Sequence, residues 1–111
     1  MKIYTREVEG RVILHLMGEI VHSTVAELGE KIHSSLGQGK SKILLDFEKV
    51  YNLDGPGAGF LANLDKEAYE QGGSIKIFSV QTNVIEVLKS HGLEAVFETY
   101  QNERDALADV N

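Results

Sequence analysis

Ile43, Leu44 and Leu45 form an uninterrupted apolar run. Consecutive side chains of a strand point to opposite faces, so a run of this kind suits a strand covered on both sides. The flanking segments have a different period. Val25, Leu28, Ile32 and Leu36 fall on one helical face and predict a helix over 24–36. Leu61, Leu64 and Ala68 do the same for a helix over 56–71, which Gly72-Gly73 ends. A buried strand, over 41–47, between two such helices points to an α/β chain with parallel neighbours and right-handed crossovers.

The remaining segments extend that order. In 11–18, Val12, Leu14 and Leu16 alternate with Ile13, His15 and Met17, the two-residue period of a strand, and Gly18 is expected to end it. Residues 2–9 pair with it as a hairpin turned at Glu9-Gly10. Thr24 with Glu27 fits a capping box at the first helix, and Gly37 fits its stop. Further expectations are a strand over 74–80 and a helix from Thr82 or Asn83 to Gly92. A short strand near Val96-Phe97 and a last helix from about Asn102, holding Ala106, Leu107 and Val110, complete the chain. The sum is ββαβαβαβα: a mixed central sheet of about five strands with about four helices.

With 111 residues the chain suits one domain spanning 1–111. An apolar fraction of 42% with 25% charged residues is ordinary for a packed core and argues against disorder. The absence of cysteine rules out disulfides, thiolate nucleophiles and cysteine-bound zinc, and nothing calls for an oxidising compartment, so a cytoplasmic location is expected. The net charge is −6 and the basic residues are scattered, which disfavours nucleic acid and anionic membranes as partners. No apolar run approaches the roughly 20 residues of a membrane span, and residues 1–7 do not read as a signal peptide.

The segment from Asp46 to Phe60 is the most informative. It follows the most apolar strand and opens the second helix, the kind of strand end at which ligands and partners meet open α/β sheets. Gly55, Gly57 and Gly59 allow another backbone to approach. Pro56 suits the first helical position, which would make Gly55 the N-cap. The same glycines would equally serve close packing of the helix on the sheet, and local chemistry leaves the two roles open. The Gly55-x-Gly57-x-Gly59 spacing is not a phosphate-binding fingerprint.

The stretch Leu44-Leu45-Asp46-Phe47, Val50, Leu53-Asp54-Gly55-Pro56-Gly57-Ala58-Gly59 resembles the hallmark of STAS domains, D-L-S-x-V-x-x-[MI]-D-S-[ST]-G-L-G. The resemblance runs along nearly the whole chain. Leu16-Met17-Gly18-Glu19-Ile20 is similar to the family's L-x-G-E-L. Gln71-Gly72-Gly73 with Ile75-Lys76-Ile77 is similar to G-G-x-L-x-L. Val84 to Leu88, His91-Gly92-Leu93 and Val96-Phe97 are similar to V-x-x-[VL]-L, x-G-L and [LI]-F. The resemblance implies the SpoIIAA-like fold and the role of a bacterial anti-sigma factor antagonist, a regulator of transcription. In that family the partner is an anti-sigma factor of the GHKL ATPase type, which is also a serine kinase. It phosphorylates the antagonist on the Ser or Thr of D-S-[ST]-G, and the added charge blocks the complex.

The chain departs from the pattern at that switch. The acceptor position is Pro56, the residue before it is Gly55, and a further family carboxylate is replaced by Val21. The resemblance therefore implies a partner-binding site made of Glu19, His22, Asn52, Asp54, Gly55, Pro56, Gly57, Ala58, Gly59 and Phe60, with no phospho-acceptor. Ala58 and Phe60 are expected at the interface in preference to Leu53 and Leu61. The alternative is a STAS scaffold subunit of a transporter or signalling assembly, and self-association into a homodimer is left open.

No catalytic constellation, metal site or cofactor is expected. His15, His22, His33 and His91 show no metal-ligand spacing. Glu19, Asp46 and Asp54 would need to converge to hold Mg²⁺; the simpler expectation is that Asp46 and Asp54 satisfy local amides. The serines lack a nucleophile elbow. Glu94, Glu98, Glu103, Asp105 and Asp109 are expected to form a solvated face.

Overall fold

The computed structural model describes residues 1–109, so the expected place of Val110 lies outside the described residues. In chain order the elements are β1 (Lys2–Val8), β2 (Arg11–Ile20), α1 (Val25–Gly37), β3 (Lys42–Leu53), α2 (Gly55–Glu70), β4 (Ser74–Phe78), α3 (Thr82–Ser90), a single 3₁₀ turn (Leu93–Ala95), β5 (Thr99–Tyr100) and α4 (Glu103–Ala108). The strands form one sheet in the order β1-β2-β3-β4-β5. β1 runs antiparallel to β2, and every later pair is parallel.

Sequential parallel strands joined by crossovers of one hand must carry their helices on one face. Accordingly Leu28, Ile32 and Leu36 of α1, Leu61, Leu64 and Ala68 of α2, and Val84 and Leu88 of α3 share one core with Leu14, Leu16, Ile43, Leu45, Ile75 and Ile77 of the sheet. The last helix follows the last strand and need not cross over. α4 covers the other face, where Ala106 packs with Ile13, Leu44 and Phe78. The run Ile43-Leu44-Leu45 is therefore buried on both sides, Ile43 and Leu45 under the three helices and Leu44 under α4.

The hairpin forms as expected. Glu9 and Gly10 both have left-handed φ, 52° and 78°, the signature of a type I′ turn, whose twist matches the strands it joins. Arg6 ties this hairpin to α4 through Glu103, with Nη1–Oε1 and Nη2–Oε2 distances of 2.7 and 3.3 Å. That contact, a hydrogen bond first and a charge attraction second, raises the pKa of the guanidinium further. Arg6 also donates to His15 Nε2 at 3.0 Å. A guanidinium can only donate, so the His15 proton sits on Nδ1 and is given to Asp46 Oδ2 at 2.7 Å.

Several expected boundaries are corrected. β2 does not end at Gly18 but continues to Ile20, because the pairing with β3 absorbs irregularities between His15 and Met17 and between Gly18 and Glu19. β3 likewise runs on to Leu53 instead of stopping at 47, so half of the expected loop is strand. β4 pairs with β3 only as far as Asp46. Beyond it, two side chains of the α3 end cover the strand: Gln81 donates to the Glu48 carbonyl at 3.0 Å and Asn83 to the Tyr51 carbonyl at 2.9 Å.

Thr24 and Glu27 do not form a capping box. The Thr24 hydroxyl accepts from Val21 N–H at 3.0 Å and lies 2.6 Å from the Glu19 carbonyl, while Glu27 reaches the Met1 amine at 3.8 Å. α1 continues through Gly37, and the left-handed residue that follows is Gly39, at φ 77°. Val96-Phe97 is not a strand. Phe97 leaves the 3₁₀ turn and plugs the core at 3% exposure, and pairing begins only at Thr99.

Candidate functional site

The parallel ends of β2 and β3 meet the head of α2. Asp54, not Gly55, is the N-cap: its extended backbone leaves the strand and its Oδ1 accepts from Gly57 N–H at 2.7 Å. Its Oδ2 accepts from His22 N–H at 3.1 Å, and its own N–H donates to the Ile20 carbonyl at 3.2 Å. One carboxylate thus joins the β2–α1 loop to the start of α2, fulfilling the expectation that it satisfies local amides. Pro56 occupies the first turn, where no amide is required.

Each glycine of the Gly55-x-Gly57-x-Gly59 pattern has a separate role. A Cβ at Gly57 would lie 2.3 Å from the Ile20 carbonyl oxygen, so the backbone that approaches this glycine is the chain's own. A Cβ at Gly55 would meet His91 Nε2 at 2.9 Å, and one at Gly59 would meet nothing within 4 Å. Gly59 is exposed on the outer side of α2.

Two expected contact residues turn inward. Ala58 is fully buried at 0% exposure and belongs to the core. It follows Gly57, whose tight approach to β2 presses this turn of α2 onto the sheet. Phe60 is half-buried against the core, and its ring covers Gly29 of α1, where an added Cβ would stand 2.8 Å from Cζ. It fastens α2 to α1. Leu53 and Leu61 are buried as expected.

The residues left facing outward are His22, Asn52, Pro56 and Gly59, with Glu19, Asp54 and Gly55 partly exposed. Glu19 and Asn52 are register neighbours on β2 and β3, and Asn52 Nδ2 donates to Glu19 Oε1 at 3.4 Å. His91, absent from the expected set, joins them from the end of α3. Its Nδ1 stands 3.0 Å from the Val87 carbonyl. A carbonyl only accepts, so Nδ1 donates and Nε2 stands beside Gly55. No sequence signal ties residue 91 to residue 55, because packing of α3 brings them together.

Asp46 lies apart from this cluster. It pairs with His15 and accepts from Glu48 N–H at 2.9 Å. Glu19, Asp46 and Asp54 therefore do not converge, and among the described residues no group of three His, Asp or Glu side chains is placed to hold a metal ion. The acidic stretch near the C-terminus is only partly a solvated face. Glu103 pairs with Arg6, and Asp109 with the buried Lys76 at 3.2 Å. The Tyr100 hydroxyl lies between Asp109 and Glu98, either of which can accept its one proton; desolvation and then these two carboxylates raise the pKa of its phenol. No helix is long and apolar enough to cross a membrane among the described residues.

A family model for the STAS domain matches residues 2–106. Several solved structures share the fold. A candidate anti-sigma factor antagonist from Thermotoga maritima superposes with a TM-score of 0.91 at 23% identity, over 97% of this chain and 93% of its own. An anti-sigma factor antagonist from Mycobacterium paratuberculosis gives 0.85 at 20% identity, over 96% and 91%. The phosphorylated form of the Bacillus cell fate determinant SpoIIAA gives 0.74 at 21% identity, over 99% and 100%. No curated protein matches the chain. At these identities the structural likeness is one of fold. The family model covers almost every described residue, and the four-helix, five-stranded mixed sheet agrees with it: the chain belongs to the STAS domain family.

Proposed function

We propose that the chain is an anti-sigma factor antagonist-like regulator that docks on an anti-sigma factor or related serine kinase through the head of α2. The contact surface is His22, Asn52, Pro56 and Gly59, framed by Glu19, Asp54, Gly55 and His91. The observation that carries the reading is the rigid, outward-facing corner that Asp54 builds from two chain segments. A surface held in place before the encounter loses little freedom on binding. Pro56 offers no hydroxyl at the position where the family's acceptor stands, so the protein would not be switched off there.

The experiment is a calorimetric titration against an anti-sigma factor of the GHKL ATPase type. Gly59→Arg is the probing change, because the site is exposed and open. It should weaken binding by about tenfold or more, an anchor-sized loss of roughly 1.4 kcal/mol, with unaltered circular dichroism. Equal affinity of variant and parent would remove α2 from the interface. After incubation with the kinase and ATP, the parent chain should carry no phosphate, whereas Pro56→Ser should accept one. Phosphate on Ser23, Thr24 or Thr82 of the parent chain would refute the unswitched reading.

The same Pro56 favours a second reading, a scaffold subunit of a transporter or signalling assembly, in which a permanent contact is wanted. A tight complex with a neighbouring transport ATPase, and none with the kinase, would select it.

A further inference from the structure

The two outer strands of the sheet differ greatly. β5 has two residues, whereas β1 has seven, and among the described residues no strand pairs with its outer edge. Unpaired N–H and C=O groups along such an edge are a template for another strand. Beside it, a cleft of about 320 Å³ separates β1 from α1, walled by Thr5 and Glu7 on one side and Lys31, Ser34 and Gln38 on the other.

We infer that this edge pairs with β1 of a second copy of the chain, antiparallel about a two-fold axis at Thr5, to give one continuous ten-stranded sheet. Opposed residues of an antiparallel pair share a face. Ile3, Thr5 and Glu7 stand opposite Leu16, Leu14 and Val12 on the helix-covered face, and Lys2, Tyr4, Arg6 and Val8 lie on the other. A two-fold axis perpendicular to the sheet preserves each face, so a residue can only oppose one of its own parity. Three central registers satisfy this. With Tyr4 on the axis, Lys2 opposes Arg6 twice. With Arg6 on the axis, the two guanidinium groups oppose each other. Both set like charges directly across the strands, which is unfavourable.

With Thr5 on the axis the conflict disappears. Tyr4 opposes Arg6 of the second copy, and the reverse pair repeats it. The in-plane donors of Arg6 already hold Glu103 and His15, leaving its flat face to stack on the exposed Tyr4 ring. Lys2 opposes Val8, Ile3 opposes Glu7, and Thr5 meets its own copy.

The helix side is complementary in the same register. The Met1 amine stands beside Glu27 at the start of α1, and Glu7 pairs with Lys40 just beyond the end of α1 at 2.6 Å. The axis therefore turns the Glu27 and Glu30 end of one copy toward the Lys40 end of the other. The interface is isologous and closed. It uses β1 and α1 and leaves the head of α2 free, so it does not depend on the docking proposal.

The test is sedimentation equilibrium of the full chain, with cysteine trapping. The chain has no cysteine of its own. Wild type should sediment as a dimer at micromolar concentration. Thr5→Lys, at an exposed site, should be monomeric with unchanged circular dichroism. Under mild oxidation Thr5→Cys should form a disulfide-linked dimer, because its Cα meets its symmetry mate at about 5.5 Å. Glu7→Cys should not, because two such residues lie about 14 Å apart along the strands. A monomeric wild type, a dimeric Thr5→Lys, or equal cross-linking of the two cysteine variants would each overturn the inference.

Discussion

Replacing Gly57 by alanine tests whether the corner at α2 is held by close backbone contact. The new Cβ would lie 2.3 Å from the Ile20 carbonyl oxygen and 3.0 Å from Asp54 Oδ1. Contacts between carbon and oxygen at this site cannot be relieved by a rotamer change, since Ile20 O is main chain. The head of α2 must move away by most of an ångström. That strains the Asp54 N–H bond to the same carbonyl and the Gly57 N–H bond to Asp54. Overpacking of this kind costs about 1–3 kcal/mol, and loosening the cap adds about 1 kcal/mol. Alanine returns about 1 kcal/mol through helix propensity. The net loss is about 1–3 kcal/mol. Gly59→Ala in the same helix has open space for its Cβ, so only the propensity gain remains, about 0.5–1 kcal/mol of stabilisation. Urea unfolding of both variants, followed by far-ultraviolet circular dichroism, gives the comparison. Opposite signs are expected. A Gly57→Ala variant as stable as Gly59→Ala would refute the claim that this glycine seats the helix.

Asp54→Ala removes the cap and the tie to His22, and should lower stability by about 1–2 kcal/mol; faster hydrogen exchange at the amides of Gly57 and His22 than in the parent would confirm the local cause. Asp65 supplies a pH-dependent case: burial raises its pKa above the ordinary carboxylate value, against the opposing bond from Ile75 N–H. A raised carboxylate pKa means that the stabilising share of the protonated form is complete below the unfolded value and is lost as pH climbs through the folded one. Asp65→Asn keeps an acceptor for Ile75 without the charge, so it should equal or exceed the parent in stability at pH 7, with the difference fading below about pH 4. A variant that is less stable at neutral pH would show that the charge itself is favourable there.

The order of elements was legible because it follows from neighbours in sequence. The alternation in 11–17, the left-handed pair Glu9-Gly10 and the doubly apolar run at 43–45 each act over a few residues, and each produced the expected element. Boundaries were less legible where a polar residue has a distant partner. Asn52 and Glu48 read as loop, yet β2 and the side chains of Gln81 and Asn83 hold that stretch extended. The candidate site depended most on tertiary structure. Sequence placed Pro56 at a helix start, since that preference is local, but put the N-cap at Gly55 instead of Asp54, and it did not give the burial of Ala58, the seat of Phe60 on Gly29 or the approach of His91 to Gly55. Those outcomes depend on how far helices stand from the sheet and from one another. That spacing is set by the packing of side chains drawn from the whole chain, which no short segment contains.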